Sequence, residues 1–163
     1  MEKKTVDALR WIVNLLNKYG IVYQISGGFA AKLYGSSRPV NDIDIDLSQR
    51  HFHVLLPEIS QYITYGPARF NDGKWDVELI TLNYNGQEID LSGADDTRIT
   101  NKERTAWIPY PNDISRALTL TVEGEPIKVM HPRDLALYKS LLDGDHQKSD
   151  IDAAIKYADE HGL

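Results

Sequence analysis

Two short stretches of this chain carry side chains and backbone that could do chemistry together. The first is Ser26-Gly27-Gly28, at the end of an apolar run; the second, thirteen residues further on, is Asp42-Ile43-Asp44-Ile45-Asp46. A pair of glycines lets backbone approach a ligand closely, because no Cβ intervenes and positive φ costs little. The helical stretch predicted just beyond them, Phe29 to Tyr34, would add unpaired N–H groups and a partial positive charge, both suited to a phosphate. The aspartates alternate with Ile43, Ile45 and Leu47, so a strand would project all three carboxylates from one face, roughly 7 Å between neighbours. Crowded like charges cost stability unless a cation sits against them. Magnesium fits, with manganese as a substitute, because a hard cation held by one or two carboxylates and substrate phosphates is its usual arrangement. Asp-x-Asp alone is more often solvated strand surface, and Gly-Gly alone is more often a turn; in this order and spacing they point to a metal-dependent nucleotide site.

Two metals would call for a third carboxylate, and a downstream hairpin selects one. Asn85-Gly86 between two strand-like segments, Lys74 to Tyr84 and Gln87 to Ser92, suits a two-residue type I′ turn. Tyr84 then faces Gln87. Counting outward pairs Leu82 with Ile89 and Ile80 with Leu91 on a core face, and Asn83 with Glu88 and Thr81 with Asp90 on a wet face. Asp90 is thereby expected on the side from which Asp42 and Asp44 project. Asp76 and Glu78 fall on the core side and are the weaker candidates. An exposed strand carboxylate paired with a Lys or Arg is the alternative for Asp90.

With Gly27-Gly28, Asp42-x-Asp44 and the acid of Glu88-Ile89-Asp90-Leu91 in place, the chain resembles the DNA polymerase β-type nucleotidyltransferase superfamily. The string GGFAAKLYGSSRPVNDIDIDL is most similar to the small lincosamide-type antibiotic nucleotidyltransferases and to nucleotidyltransferase toxins of toxin-antitoxin systems. The resemblance implies transfer of a nucleoside monophosphate from a nucleoside triphosphate to an acceptor hydroxyl or phosphate. Asp42 and Asp44 would hold both metals; Asp90 would bind the catalytic one and help the acceptor lose its proton. Ser26, Gly27 and Gly28 would contact the triphosphate, and Lys139, in a helix opened by His131-Pro132-Arg133-Asp134-Leu135, would neutralise it. His146-Gln147-Lys148-Ser149-Asp150 stands where such relatives often begin a helix with a basic, carboxylate-rich stretch, and no role is assigned to it.

Arg38, in the loop before the acidic strand, could grip a phosphate through its planar fork or pair with a nearby aspartate. Lys139 has a plainer alternative as a solvated edge beside Leu135, Tyr138 and Leu142. Trp107 to Pro111 could line an acceptor pocket, although a packed loop is the simpler reading. His51, His53, His131, His146 and His161 make no zinc constellation, and no serine-nucleophile elbow is present.

The elements that must position these groups are legible as a mixed sheet with flanking helices. We expect an α/β (α+β) fold, palm-like, in one domain spanning 1–163, with a core over 1–129 and a helical segment over 130–163. An amphipathic helix over Thr5 to Tyr19 opens the chain and stops at Gly20; it does not read as a signal peptide. The 163 residues are 42% apolar and 26% charged, ordinary for a compact soluble domain. Absence of cysteine excludes disulfides and thiol catalysis and agrees with a cytoplasmic location. Net charge is −6, from 18 basic and 24 acidic residues, which favours a small-molecule acceptor over a long nucleic-acid footprint. No apolar run approaches the length needed to span a bilayer. A toxin-type enzyme acting on RNA or protein, and a noncatalytic nucleotide-binding module, remain the other two readings. A second copy of the chain or an antitoxin-type protein would be the macromolecular partner.

Overall fold

The structure, a computed structural model, describes residues 1–110 and 113–163. Helix α1 (Lys3–Lys18) buries Ala8, Leu9, Ile12, Val13, Leu15 and Leu16, the stripe its 3.6-residue period dictates. It ends where Gly20 takes a left-handed φ of 62°, letting Ile21 N–H reach back to the Leu16 carbonyl at 2.9 Å. Strand β1 (Tyr23–Ser26) leads directly into α2 (Gly27–Leu33), and β2 (Asp42–Leu47) follows. Next comes a short α3 (Phe52–Ile59), flanked by 3-10 turns at Gln49–His51 and Ser60–Tyr62. Then come β3 (Ile63–Asn71), β4 (Trp75–Tyr84), β5 (Gln87–Gly93), β6 (Arg98–Thr100), β7 (Trp107–Pro109), β8 (Leu118–Val122), β9 (Glu125–Val129), α4 (Pro132–Ser140) and α5 (Gln147–Glu160).

Among the described residues nine strands form one mixed sheet in the order β7-β6-β4-β5-β2-β1-β9-β8, with β3 also on β4. The two strands that matter most for the site, β2 and β5, are parallel neighbours, and β1 runs antiparallel to β2 on its other side. One face of this centre is apolar: Ile25, Ile43, Ile45, Leu47, Ile80, Leu82, Ile89 and Leu91 are essentially inaccessible and share one core with α1 and α3. At ~1.5–3 kcal/mol for each large aliphatic chain buried, this face rules out a one-residue slip, which would expose the whole set. The opposite face carries the interleaved polar residues, with α4 and the chain near Tyr110 bordering it.

The hairpin register agrees pair by pair with that counted from Asn85-Gly86: Tyr84 opposite Gln87, Leu82 opposite Ile89, Thr81 opposite Asp90. Two local expectations are corrected. Trp107–Pro109 is an edge strand, held by pairing of Ile108 with Ile99 and Trp107 with Thr100. β6, its partner, was not expected, because three residues are too few to show a period. Pro111, the end of the expected loop, lies outside the described residues.

Candidate metal and nucleotide site

β2 presents Asp42 and Asp44 two residues apart on its polar face, and β5 sets Asp90 directly beside Asp44 in register. Each of the three offers a carboxylate oxygen within 4.8 Å of the others. Asp90 is oriented by Thr81 across the hairpin, whose hydroxyl donates to Asp90 Oδ1 at 2.7 Å. The crowding shows in the acidities. Burial, then Asp42, Asp90 and Asp46, push the Asp44 carboxyl well above the usual range, with Lys139 opposing weakly. Burial also raises Asp90, against the Thr81 hydrogen bond, with Asp42 and Glu88 adding to the rise. Three half-buried carboxylates with all-oxygen donors are a set that a hard divalent cation satisfies.

Ser26 stands opposite Asp44 in the β1–β2 pairing, so the bend after it is built against the acids. Gly27 has φ 63°, and a Cβ there would lie 2.0 Å from Asp44 Oδ2; the site has no room for any side chain at this position. Gly28 differs, since a Cβ would meet only Arg38 Nη2 at 3.6 Å. Gly28 thus marks a place where the Arg38 guanidinium lies against bare backbone at the start of α2.

Arg38 and Lys139 do not pair with the metal-site acids. Both converge on Asp150 of α5, at the end of the segment His146 to Asp150 to which the sequence had assigned no role. Arg38 Nη2 is 3.0 Å from Asp150 Oδ2 and its Nε 3.2 Å from Oδ1; Lys139 Nζ is 2.9 Å from Oδ2; the Ser36 hydroxyl donates to Oδ1 at 2.6 Å. The side chains of Lys139 and Asp150 are 4% and 1% exposed, so Lys139 is no solvated edge. Burial alone would raise the Asp150 carboxyl, but Ser36, Lys139 and Arg38 outweigh it and hold it below the usual range. Asp76, the disfavoured acid, is consumed by Arg69 and Arg98.

A cleft of about 210 Å³ opens on the same sheet face, with Ser26, Asp44 and Asp90 at one side and Phe70, Trp75, Tyr110 and Tyr138 among its walls. The rings of Trp75, Tyr110 and Tyr138 touch pairwise, with centroids 5.6–6.2 Å apart. Burial and the nearby aspartates push both phenols up, so they stay protonated donors. Asp46 also faces the cleft and accepts from Gln24 Nε2 at 3.0 Å. Of these aromatic residues only Tyr110 lay in the segment expected from sequence to border an acceptor pocket. Phe70 and Trp75 come from the paired strands β3 and β4 and Tyr138 from α4, far along the chain, and an isolated aromatic carries no periodic signal.

No family model matches the sequence, and no curated protein does. Solved structures do match along nearly the whole chain. The Thermotoga maritima protein TM1012, itself only provisionally called a nucleotidyltransferase, superposes with a TM-score of 0.71 at 17% identity, covering 98% of this chain and 96% of that one. The lincosamide antibiotic adenylyltransferase LnuA, solved with lincomycin, gives 0.60 at 17% identity over 96% and 98%. The antibiotic-resistance factor ANT(2″)-Ia, solved with adenylyl-2″-tobramycin, gives 0.61 at 12% identity over 97% and 91%. Among the described residues no helix is long and apolar enough to cross a membrane. A mixed sheet joined to this element order, matched end to end by those proteins, gives the chain the nucleotidyltransferase fold.

Proposed function

We propose that the protein transfers a nucleoside monophosphate from a nucleoside triphosphate to a hydroxyl of a small molecule, with magnesium or manganese as cofactor. One observation carries this reading: Asp42, Asp44 and Asp90 converge within 4.8 Å beside a bend whose glycine is sterically compulsory. Structural neighbours that adenylylate antibiotics favour a small acceptor, and so does a cleft of about 210 Å³, enough for one ring and its substituents.

Asp42 and Asp44 would hold the cations, with Asp90 as third ligand. Bound there, they would neutralise charge on the phosphates and on the attacking and leaving oxygens of an in-line displacement. The chain's own groups do the rest. The bend at Ser26, Gly27 and Gly28 brings backbone to the phosphates, and Arg38 and Lys139 supply positive charge near it. The aromatic cleft holds the acceptor with its hydroxyl toward Asp90. That hydroxyl oxygen forms the new bond to the α-phosphorus as the bond to the bridging oxygen of the β-phosphate breaks. Pyrophosphate leaves with that electron pair, and the hydroxyl proton passes to Asp90. Thr81 leaves one Asp90 oxygen available for this.

The test is transfer from each of the four α-labelled triphosphates, with magnesium, to a panel of polyhydroxylated small molecules, read as pyrophosphate release and as acceptor mass gain. Wild-type activity that disappears in Asp44→Asn supports the proposal. Equal pyrophosphate release by the two proteins with every donor and acceptor refutes it.

A further inference from the structure

The cluster around Asp150 is more than a brace between α5 and the rest. It gathers Arg38 and Ser36 from the loop after α2, Lys139 from α4 and Asp150 from α5, all through contacts of 2.6–3.2 Å. Two cations share one carboxylate, so the cluster keeps one surplus positive charge in a largely dry environment. The surplus sits by the twin-glycine bend: Arg38 Nη2 is the nearest atom to the space over Gly28.

We infer that Asp150 is a positioning residue for the phosphate chain of the donor, holding the Arg38 guanidinium beside Gly28 with Lys139 on the same carboxylate; this rests on the nucleotide reading above. The physical need is specific. Burying a charge is costly unless it is paired, and Lys139, at 4% exposure, has Asp150 as its ion-pair partner at 2.9 Å. Arg38 is 31% exposed at its side chain and stands in the loop that runs straight into Asp42 and Asp44. Released from Asp150, its guanidinium would pair with those acids and compete with the metal. A carboxylate on α5 instead takes the fork through Nε and Nη2 and keeps it off the metal ligands. Ser36 fixes the remaining geometry by occupying Oδ1. Contacts to phosphates that do not react are made alike in ground and transition states, so their loss raises KM and spares kcat.

The experiment is calorimetric titration of the full chain with inorganic triphosphate in magnesium, comparing wild type, Asp150→Asn and Ala154→Gly. Ala154 is a fully buried residue of the same helix outside the ionic cluster, so its variant reports loss of stability alone. Binding weakened at least tenfold in Asp150→Asn, with Ala154→Gly close to wild type, supports the inference. Equal affinity of Asp150→Asn and wild type, or equal weakening in the two variants, overturns it. Wild type that binds no triphosphate overturns the nucleotide reading and this inference with it, a result distinct from the preceding ones. If Asp150→Asn does not fold, Ser36→Ala replaces it: affinity reduced about threefold supports the role, and unchanged affinity overturns it. With a transfer assay in hand, KM for the triphosphate should rise tenfold in Asp150→Asn at a kcat within threefold of wild type.

Discussion

Replacing Asp44 with asparagine should stabilise the metal-free protein, an unusual outcome for a half-buried residue at the centre of a sheet. Asp44 lies within 4.8 Å of both Asp42 and Asp90, oxygen to oxygen. At an effective dielectric near 20, each ionised pair at that distance repels by about 3.5 kcal/mol. Part of that is relieved by proton uptake, because Asp44 binds its proton more tightly folded than unfolded. Asparagine keeps the shape and removes the charge, so we expect a net gain on the order of 2 kcal/mol at neutral pH, or roughly 4 to 8 °C in Tm for a domain this size. The pH dependence has a definite sign. A carboxyl whose folded pKa is raised costs nothing below its unfolded pKa, and the cost grows as pH climbs through the folded value. The advantage of Asp44→Asn should therefore be nil near pH 3 and increase through the neutral range. Saturating magnesium should reverse it, since the wild type then gains binding energy that the variant lacks. Thermal melts in chelator and in magnesium, at several pH values, measure all three effects. A variant less stable than wild type in chelator at pH 7 would show that the acids are structurally paired and that the electrostatic reasoning is wrong.

Gly27→Ala should abolish activity and lower stability by about 2 kcal/mol or more, since its Cβ would collide with Asp44 Oδ2 at a left-handed φ; a melt and a transfer assay check this. Asp150→Asn should cost about 3 to 5 kcal/mol at neutral pH by leaving cations unpaired around a buried site. Because the Asp150 carboxyl is held low, that difference should hold above the ordinary carboxylate pKa and shrink as pH falls through the folded value, which urea titrations from pH 7 to 2.5 will follow. Trp75→Ala should raise KM for the acceptor at least tenfold with little change for the triphosphate, if the aromatic cleft is the acceptor site; steady-state kinetics with each substrate varied separate the two.

Which parts of this site are legible in the chain follows from how far each signal reaches. Asp42, Asp44 and the bend before them are local, written in a period of two and a pair of glycines, and β2 realises them directly. Asp90 is a longer step, yet an Asn-Gly turn transmits register without loss, so alternation in β4 and β5 was enough to place it next to Thr81 and on the face of Asp44. The same counting put Asp76 on the other face, where Arg69 and Arg98 occupy it. Asp150 could not be found this way. Its position depends on how α4 and α5 dock on the rest, and that docking leaves no repeating pattern in the sequence. Arg38 shows the boundary within a single residue. A guanidinium so near three aspartates in sequence invites pairing with them, and only the return of α5, with a more deeply buried carboxylate and a serine already in place, draws it away. Electrostatics of neighbours can be read from a string of letters; competition between a near acid and a distant one is decided by desolvation, which needs the fold.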